Sequence, residues 1–504
     1  MTLHTEGRSA DRTSDRAADR TEDRSVDTAV AEPARRRWIA LTILAVAEFL
    51  VVLDASIVNI ALPSIGANLH LDTTQLSWVI TAYVLPFGGL LLLGGRLADR
   101  FGHRRVFLIG VAGFIAASAL AGFSLNGGML LGARALQGAS AALLAPASLA
   151  LVTRLFPVAS DRAKALGVWG AVAGVGSAAG VLLGGVLTAA FGWEAIFFVN
   201  VPAGLIVLVA LPFLVARDAG AERMRLDLAG ALTVTGGLVS LVGALSLSEQ
   251  LGFADPLIIG LFVAAAVLLA AFVVIERRSA QPLVDLRIFR QPSVAGGNAA
   301  MLFAGAATTA TFFALSVYMQ QVLGYSALES GLTQLPLAGT LVVVAGVVPS
   351  VLARFGARRV LVVALLVLAL GLLWLSFAPS DATFVGSLLA PTIVIGAGLG
   401  ASFIATTQLA VDGTSGSDAG LASGLVNTSQ QVGGALGLAV LSTIGASRAA
   451  GLMASGTAKA DALTSGFSVV FLGAAAAAVL GAIAVTVITR SRANSTAAEG
   501  RGRS

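Results

Sequence analysis

Along most of the chain, apolar runs of about 20 residues or more alternate with short polar or glycine-bearing connections. At about 1.5 Å of rise per helical residue, each run can cross a hydrocarbon layer about 30 Å thick. Fourteen spans are expected, at 38–62, 75–97, 104–124, 129–152, 163–190, 195–215, 227–247, 256–275, 294–318, 329–352, 358–377, 383–411, 419–446 and 464–488. A closed membrane barrel would show short alternating segments instead. The fold class expected is therefore all-α and integral to the membrane. Residues 1–37 lack an apolar run and so are no signal peptide. Their Asp-Arg pairs at Asp11-Arg12, Asp15-Arg16, Asp19-Arg20 and Asp23-Arg24 have no apolar face beside them. A disordered tail is expected there.

Composition agrees, with 57% apolar and only 12% charged residues among 504. The net charge of +5 does not point to nucleic acid, because the basic residues sit in the short connections. One side receives the tail, then Arg100, Arg104 and Arg105, Arg154, Arg162 and Lys164, Arg217, Arg223 and Arg225, Arg277, Arg278, Arg287 and Arg290, and Arg354, Arg358 and Arg359. The other side receives only Arg448 and Lys459. That bias places both termini in the cytoplasm and requires an even number of spans. With no cysteine, thiol chemistry and thiolate metal sites are excluded, and His4, His70 and His103 all fall outside the spans.

An internal repeat organises the spans. Arg100-Phe101-Gly102-His103-Arg104-Arg105-Val106 follows span 2, and Arg354-Phe355-Gly356-Ala357-Arg358-Arg359-Val360 follows span 10. Repeated membrane halves mark transporters, with the substrate path between them. The expected division is a tail (1–37), a six-helix half (38–215), two inserted helices (216–293), a second six-helix half (294–490) and a tail (491–504).

The chemistry is concentrated in the first half. Glu48 and Asp54 lie within span 1, where a charged side chain costs roughly 2.5–3.5 kcal/mol on insertion scales. Six residues apart, they point about 120° away from each other on a helix. They are candidates for carrying protons and for attracting a cation, and which does which stays open. Asn59 shares a face with Glu48. Arg134 is the one base inside a span and away from its ends, so it needs a carboxylate or carbonyl partner or a wet cavity. Gln137 lies on its face. After span 2, Asp99 can sit near the N-terminus of span 3, with Arg100, Arg104 and Arg105 as salt-bridge partners around a Gly95/Gly102 turn. Gly176, Gly180, Gly184 and Gly185 form a stripe of small residues that permits close helix approach, expected between the halves. The second half offers no clearly buried carboxylate, but Phe312, Gln408 and Asn427 are among the residues that suit an amphipathic ligand, and with Asn59 and Gln137 they are expected to line a substrate cavity.

Several motifs carry a family likeness. Leu53-Asp54-Ala55-Ser56-Ile57-Val58-Asn59-Ile60-Ala61-Leu62-Pro63 resembles the span 1 pattern of the fourteen-span drug:proton antiporter branch of the major facilitator superfamily. Gly95 to Arg105 resembles the superfamily's loop between spans 2 and 3, and Leu131 to Gly138 its span 4 motif. Gly176 to Gly185 resembles the antiporter motif of span 5, with Val181 where that motif usually has proline. Trp193 and Phe197-Phe198-Val199-Asn200-Val201-Pro202 are similar to the branch's start of span 6.

The resemblance implies two pseudo-symmetric six-helix halves plus two inserted helices, working by alternating access. It implies coupling through Arg134 with Asp54 or Glu48 as partner, and a cytoplasmic gate at Gly95, Asp99, Arg100, Gly102, Arg104 and Arg105. The expected activity is proton-driven export of amphipathic or cationic drugs from a bacterial cell, as a monomer in the cytoplasmic membrane. No cofactor, metal or nucleic acid is expected. The alternatives are a dedicated exporter or importer of one metabolite, or a membrane-embedded enzyme or sensor. Against the last stands the lack of metal clusters, histidine-bearing triads and nucleotide loops.

Overall fold

A computed structural model describes residues 34–216, 227–279, 282–412 and 417–501. The Asp-Arg pairs of the tail and Arg217, Arg223 and Arg225 lie outside the described residues.

Helix is the only regular structure among the described residues. In lipid every backbone donor and acceptor needs an internal partner, which a helix provides along its own length. The helices are α1 (Ala34–Leu69), α2 (Thr73–Phe101), α3 (His103–Gly122), α4 (Gly127–Leu155) and α5 (Ala159–Phe191). The sixth span is made of α6 (Ala195–Phe198) and α7 (Asn200–Leu214). Then come α8 (Leu228–Leu251), α9 (Pro256–Arg278), α10 (Pro292–Gln321), α11 (Ala327–Phe355), α12 (Ala357–Leu375), α13 (Leu389–Val411), α14 (Ser417–Ala454) and α15 (Lys459–Arg501). Thirteen spans among the described residues are long and apolar enough to cross a membrane. The remaining expected span is α5, 33 residues long. One boundary differs from expectation. Arg35, Arg36 and Arg37 belong to α1 rather than to the tail, because alanine and arginine propagate a helix beyond its apolar segment.

The repeat reaches further than its shared motif. The second helix of each half opens with a capping box, Asp72 with Gln75 in α2 and Ser326 with Glu329 in α11. Each ends at a glycine with positive φ, Gly102 at 92° and Gly356 at 77°, a conformation that side chains with a Cβ resist. Beyond each turn an arginine closes its half onto its last helix. Arg104 Nη2 donates to the Pro212 carbonyl at 3.0 Å, and Arg358 Nη2 to the Thr486 carbonyl at 3.2 Å.

In the first half α1 packs on α5 and α7, and α4 packs on α2 and α3; in the second, α10 packs on α14 and α15, and α13 on α11 and α12. The inserted helix α8 touches α2 of one half and α14 of the other, while α9 packs chiefly on α8. The halves meet along α5 with α11, α2 with α14, and α1 with α10.

The glycine stripe packs differently from expectation. Gly176, Gly180 and Gly184 face α1, meeting Phe49, Val52, Leu53, Ser56, Ile57 and Ile60 inside the first half. Only Gly185, turned about 100° around the helix, faces the second half. A Cβ there would lie 2.8 Å from the Ala327 carbonyl oxygen. The end of the bundle away from Arg104 and Arg358 is thus closed between α5 and α11.

Candidate functional site

Two glycines let α4 settle on α2. A Cβ on Gly138 would overlap the Tyr83 carbonyl, and one on Gly94 would overlap that of Ala142. One turn before Gly138, this close crossing brings Arg134 over the Tyr83 ring, 4.3 Å from Cζ to the centroid. Arg134 Nε donates to the Val79 carbonyl at 3.1 Å. Its Nη1 meets Asp54 Oδ2 at 2.5 Å and Gln137 Oε1 at 2.9 Å.

Asp54 reaches this point because the glycines of α5 hold α1 close behind it. Its Oδ1 accepts from Gln137 Nε2 at 3.0 Å and from Asn200 Nδ2 at 2.9 Å. Gln137 Nε2 also donates to Ser118 Oγ at 2.8 Å. Side chains from α1, α3, α4 and α7, with the Tyr83 ring and Val79 carbonyl of α2, so converge on one carboxylate. Asp54, Gln137, Asn200 and Ser118 are 0% exposed and Arg134 1%. Every contact to Asp54 is a donor, the complement of an acceptor-only carboxylate. Losing one charge of such a buried pair costs about 3–5 kcal/mol.

Glu48, the second acid of α1, stands apart from this network. It is 8% exposed, and its Oε2 is buried without a hydrogen-bond partner.

The loop after α2 makes contacts other than those expected. Asp99 Oδ1 pairs with His103 Nε2 at 3.2 Å, four residues on. Arg104 turns to Pro212 within its own half. Arg100 stacks over Phe101 with Cζ 5.3 Å from the ring centroid, and Arg354 repeats this over Phe355 at 5.3 Å. Arg105 is exposed, and Gly95 has only Pro146 within 4 Å of an added Cβ. One contact that leaves the half comes from Arg96, whose Nη2 donates to the Pro282 carbonyl beyond α9 at 3.0 Å.

A family model described as Major Facilitator Superfamily matches residues 44–438. The chain belongs to the major facilitator superfamily. Within that superfamily it is 39% identical over 467 residues to the puromycin resistance protein of Streptomyces alboniger, covering 91% of this chain and 93% of that one. It is 42% identical over 420 residues to the cephamycin export protein of Amycolatopsis lactamdurans, covering 82% and 86%. The lincomycin resistance protein of Streptomyces lincolnensis is 37% identical, covering 82% and 86%. Among solved structures, a bacterial homologue of the human lysosomal transporter Spinster superposes with a TM-score of 0.67 at 15% identity, covering 91% of this chain and 98% of that one. At that identity the likeness is one of fold.

The residues expected to line a cavity in this superfamily member are not gathered in one place. Gln137 is corrected outright. It lies wholly within the ion-pair network, because its amide is the group able to bridge Asp54, Arg134 and Ser118. Asn59 folds its amide back on α1, donating to the Ala55 carbonyl at 3.0 Å. Gln408 is exposed and donates to Asp412 Oδ1 at 2.7 Å, while Phe312 and Asn427 are half-buried. Among the described residues no group of three or more metal-ligating side chains comes together. Sequence reasoning did not single out Ser118, Tyr83 or Asn200 as parts of the site. Small polar residues recur in most spans, and only helix approach tells which converge. For Asn200 a signal existed, its place in the quoted start of span 6.

Proposed function

We propose that this chain exports amphipathic or cationic drugs or natural products in exchange for protons. The observation that carries this reading is the buried Asp54–Arg134 pair with its donors from neighbouring helices. Protonating Asp54 removes the charge that compensates Arg134. Moving a proton on or off this one group therefore changes the free energy of the packed state by several kcal/mol. A two-state transporter needs a difference of that size between conformations, since each 1.4 kcal/mol is about a tenfold population shift. Outward release is followed by protonation of Asp54, return of the empty carrier and proton loss to the cytoplasm. Glu48, buried with an oxygen unpartnered, takes the complementary role of attracting a cationic substrate. The family relatives support the export direction, being named for antibiotic resistance or export.

We also propose a monomer in the bacterial cytoplasmic membrane with both termini inside; the distribution of arginines supports the orientation of the termini. Cofactors and enzymatic steps are not part of this scheme. A narrower reading, export of one dedicated compound, is favoured by the fact that the puromycin, cephamycin and lincomycin relatives are each named for a single antibiotic.

Inside-out vesicles with an imposed proton gradient test the proposal. Addition of a transported lipophilic cation or antibiotic should trigger proton efflux from the lumen. Asp54→Asn, inserted at normal levels, should abolish it. Glu48→Gln should instead weaken cationic substrates more than neutral ones. Undiminished exchange in Asp54→Asn would refute the coupling role.

A further inference from the structure

Pro63 lies inside α1, nine residues after Asp54. A proline has no N–H, so the carbonyl four residues earlier, that of Asn59, loses its helical partner, and the ring pushes the turn open. An acceptor freed in this way inside a membrane has to be satisfied by something else. Here the donors come from the other half of the molecule. Ser316 Oγ of α10 donates to the Asn59 carbonyl at 2.5 Å, and Gln320 Nε2 donates to the Ile60 carbonyl at 2.9 Å. Gln320 Nε2 also reaches Ser316 Oγ at 3.2 Å, which ties the two donors together. Ser316 is 0% exposed.

Pro146 of α4 offers a contrast. The carbonyl it frees, that of Ala142, faces Gly94 within the same half. The Pro63 break differs because its freed acceptor, with the neighbouring Ile60 carbonyl, points across the interface between halves. They do so at the same end of the bundle where Gly185 meets Ala327 and Gly331 meets the Val181 carbonyl. The Asn59 side chain cannot substitute for Ser316, because its amide donates one turn back, to the Ala55 carbonyl.

We propose that Ser316 and Gln320 form a proline-dependent latch that holds this end of the transporter shut. Opening the path there requires α1 and α10 to part, which strands the Asn59 carbonyl until water enters and takes a second donor from that of Ile60. The latch sits on the helix that carries Asp54, so it is the part of the seal mechanically closest to the proton site. This proposal rests on alternating access by the two halves, as in the function proposed above, but its test needs neither substrate nor a proton gradient.

The chain has no cysteine, so a pair of introduced ones can be spin-labelled without background. Leu125 and Phe377, 85% and 75% exposed, lie in turns at this end, one in each half. Electron–electron distance measurements on Leu125→Cys/Phe377→Cys should show mainly the closed separation. Adding Ser316→Ala and Gln320→Leu should lower the closed-to-open ratio, roughly fivefold for each hydrogen bond removed. Ser316→Thr, which keeps the hydroxyl, should stay closed and report that α10 tolerates substitution there. Pro63→Ala restores an N–H for the Asn59 carbonyl, so that acceptor stays satisfied when Ser316 parts from it. In that background Ser316→Ala should have a smaller effect. An unchanged distance distribution in Ser316→Ala/Gln320→Leu would overturn the latch. So would a Ser316→Ala shift equally large with and without Pro63. If the labels report the latch while vesicles show no proton exchange, the export reading falls and the latch stands.

Discussion

Asp54 is held by three donors, but they are unequal. Arg134 supplies charge, while Gln137 and Asn200 supply geometry and hydrogen bonds. Arg134→Lys keeps the charge and loses the planar fork that simultaneously meets Asp54, Gln137 and the Val79 carbonyl. It is expected to slow proton-coupled exchange at least tenfold in vesicles while the protein still inserts. Asn200→Ala removes one neutral donor from an oxygen that keeps Gln137. A smaller loss, several-fold in exchange rate, is expected, together with a shifted pH dependence of transport that a purely structural contact would not produce. The charged pair was legible from sequence because a base and an acid inside apolar spans demand partners. The neutral partners were not, because an asparagine or serine in a span can also satisfy itself on its own helix, as Asn59 does.

For the helices, the decisive positions are glycines whose missing Cβ makes room for a neighbouring backbone. Gly138 against the Tyr83 carbonyl is the one nearest to Arg134 in the chain. Gly138→Val should force α4 from α2, separate Arg134 from Asp54 and lower the thermal stability of purified protein by several degrees. Gly132→Ala, six residues earlier with nothing within 4 Å of an added Cβ, is the control. It should be neutral or slightly stabilising, since alanine favours helix over glycine by about 1 kcal/mol. Small-residue spacing showed that α5 approaches another helix closely, but it did not show which one. Gly176, Gly180 and Gly184 serve α1, and their neighbour Gly185 serves the opposite half.

The molecule as a whole repeats its closures as well as its sequence. Arg104 with Pro212 and Arg358 with Thr486 each draw a half's second-to-third helix turn onto its last helix. Arg104→Ala and Arg358→Ala should therefore lower the melting temperature by similar amounts, and the double variant by about their sum, because Pro212 and Thr486 lie in different halves. A marked inequality in a thermal-shift assay would show that the halves are not held in the same way. The inserted helices have a different place in this plan. By contacting α2 and α14, α8 lies across the junction of the halves, while Arg96 fastens the connection after α9 to the first half.

The all-helical membrane fold, the repeated turn motif and the positions of the buried acid and base were determined by the sequence alone. Each depends on the transfer cost of charge into an apolar layer or on local helix geometry, both properties of short stretches of chain. The tertiary structure decided which partners those groups take. It set Arg134 on Asp54 rather than on Glu48, moved Gln137 from a cavity wall into the ion-pair network, and gave the carbonyl freed by Pro63 a donor from the far half. These choices depend on distances between helices separated by up to 257 residues of chain. Those distances follow from close packing at glycines and from the need to satisfy every buried polar group, which no local pattern encodes.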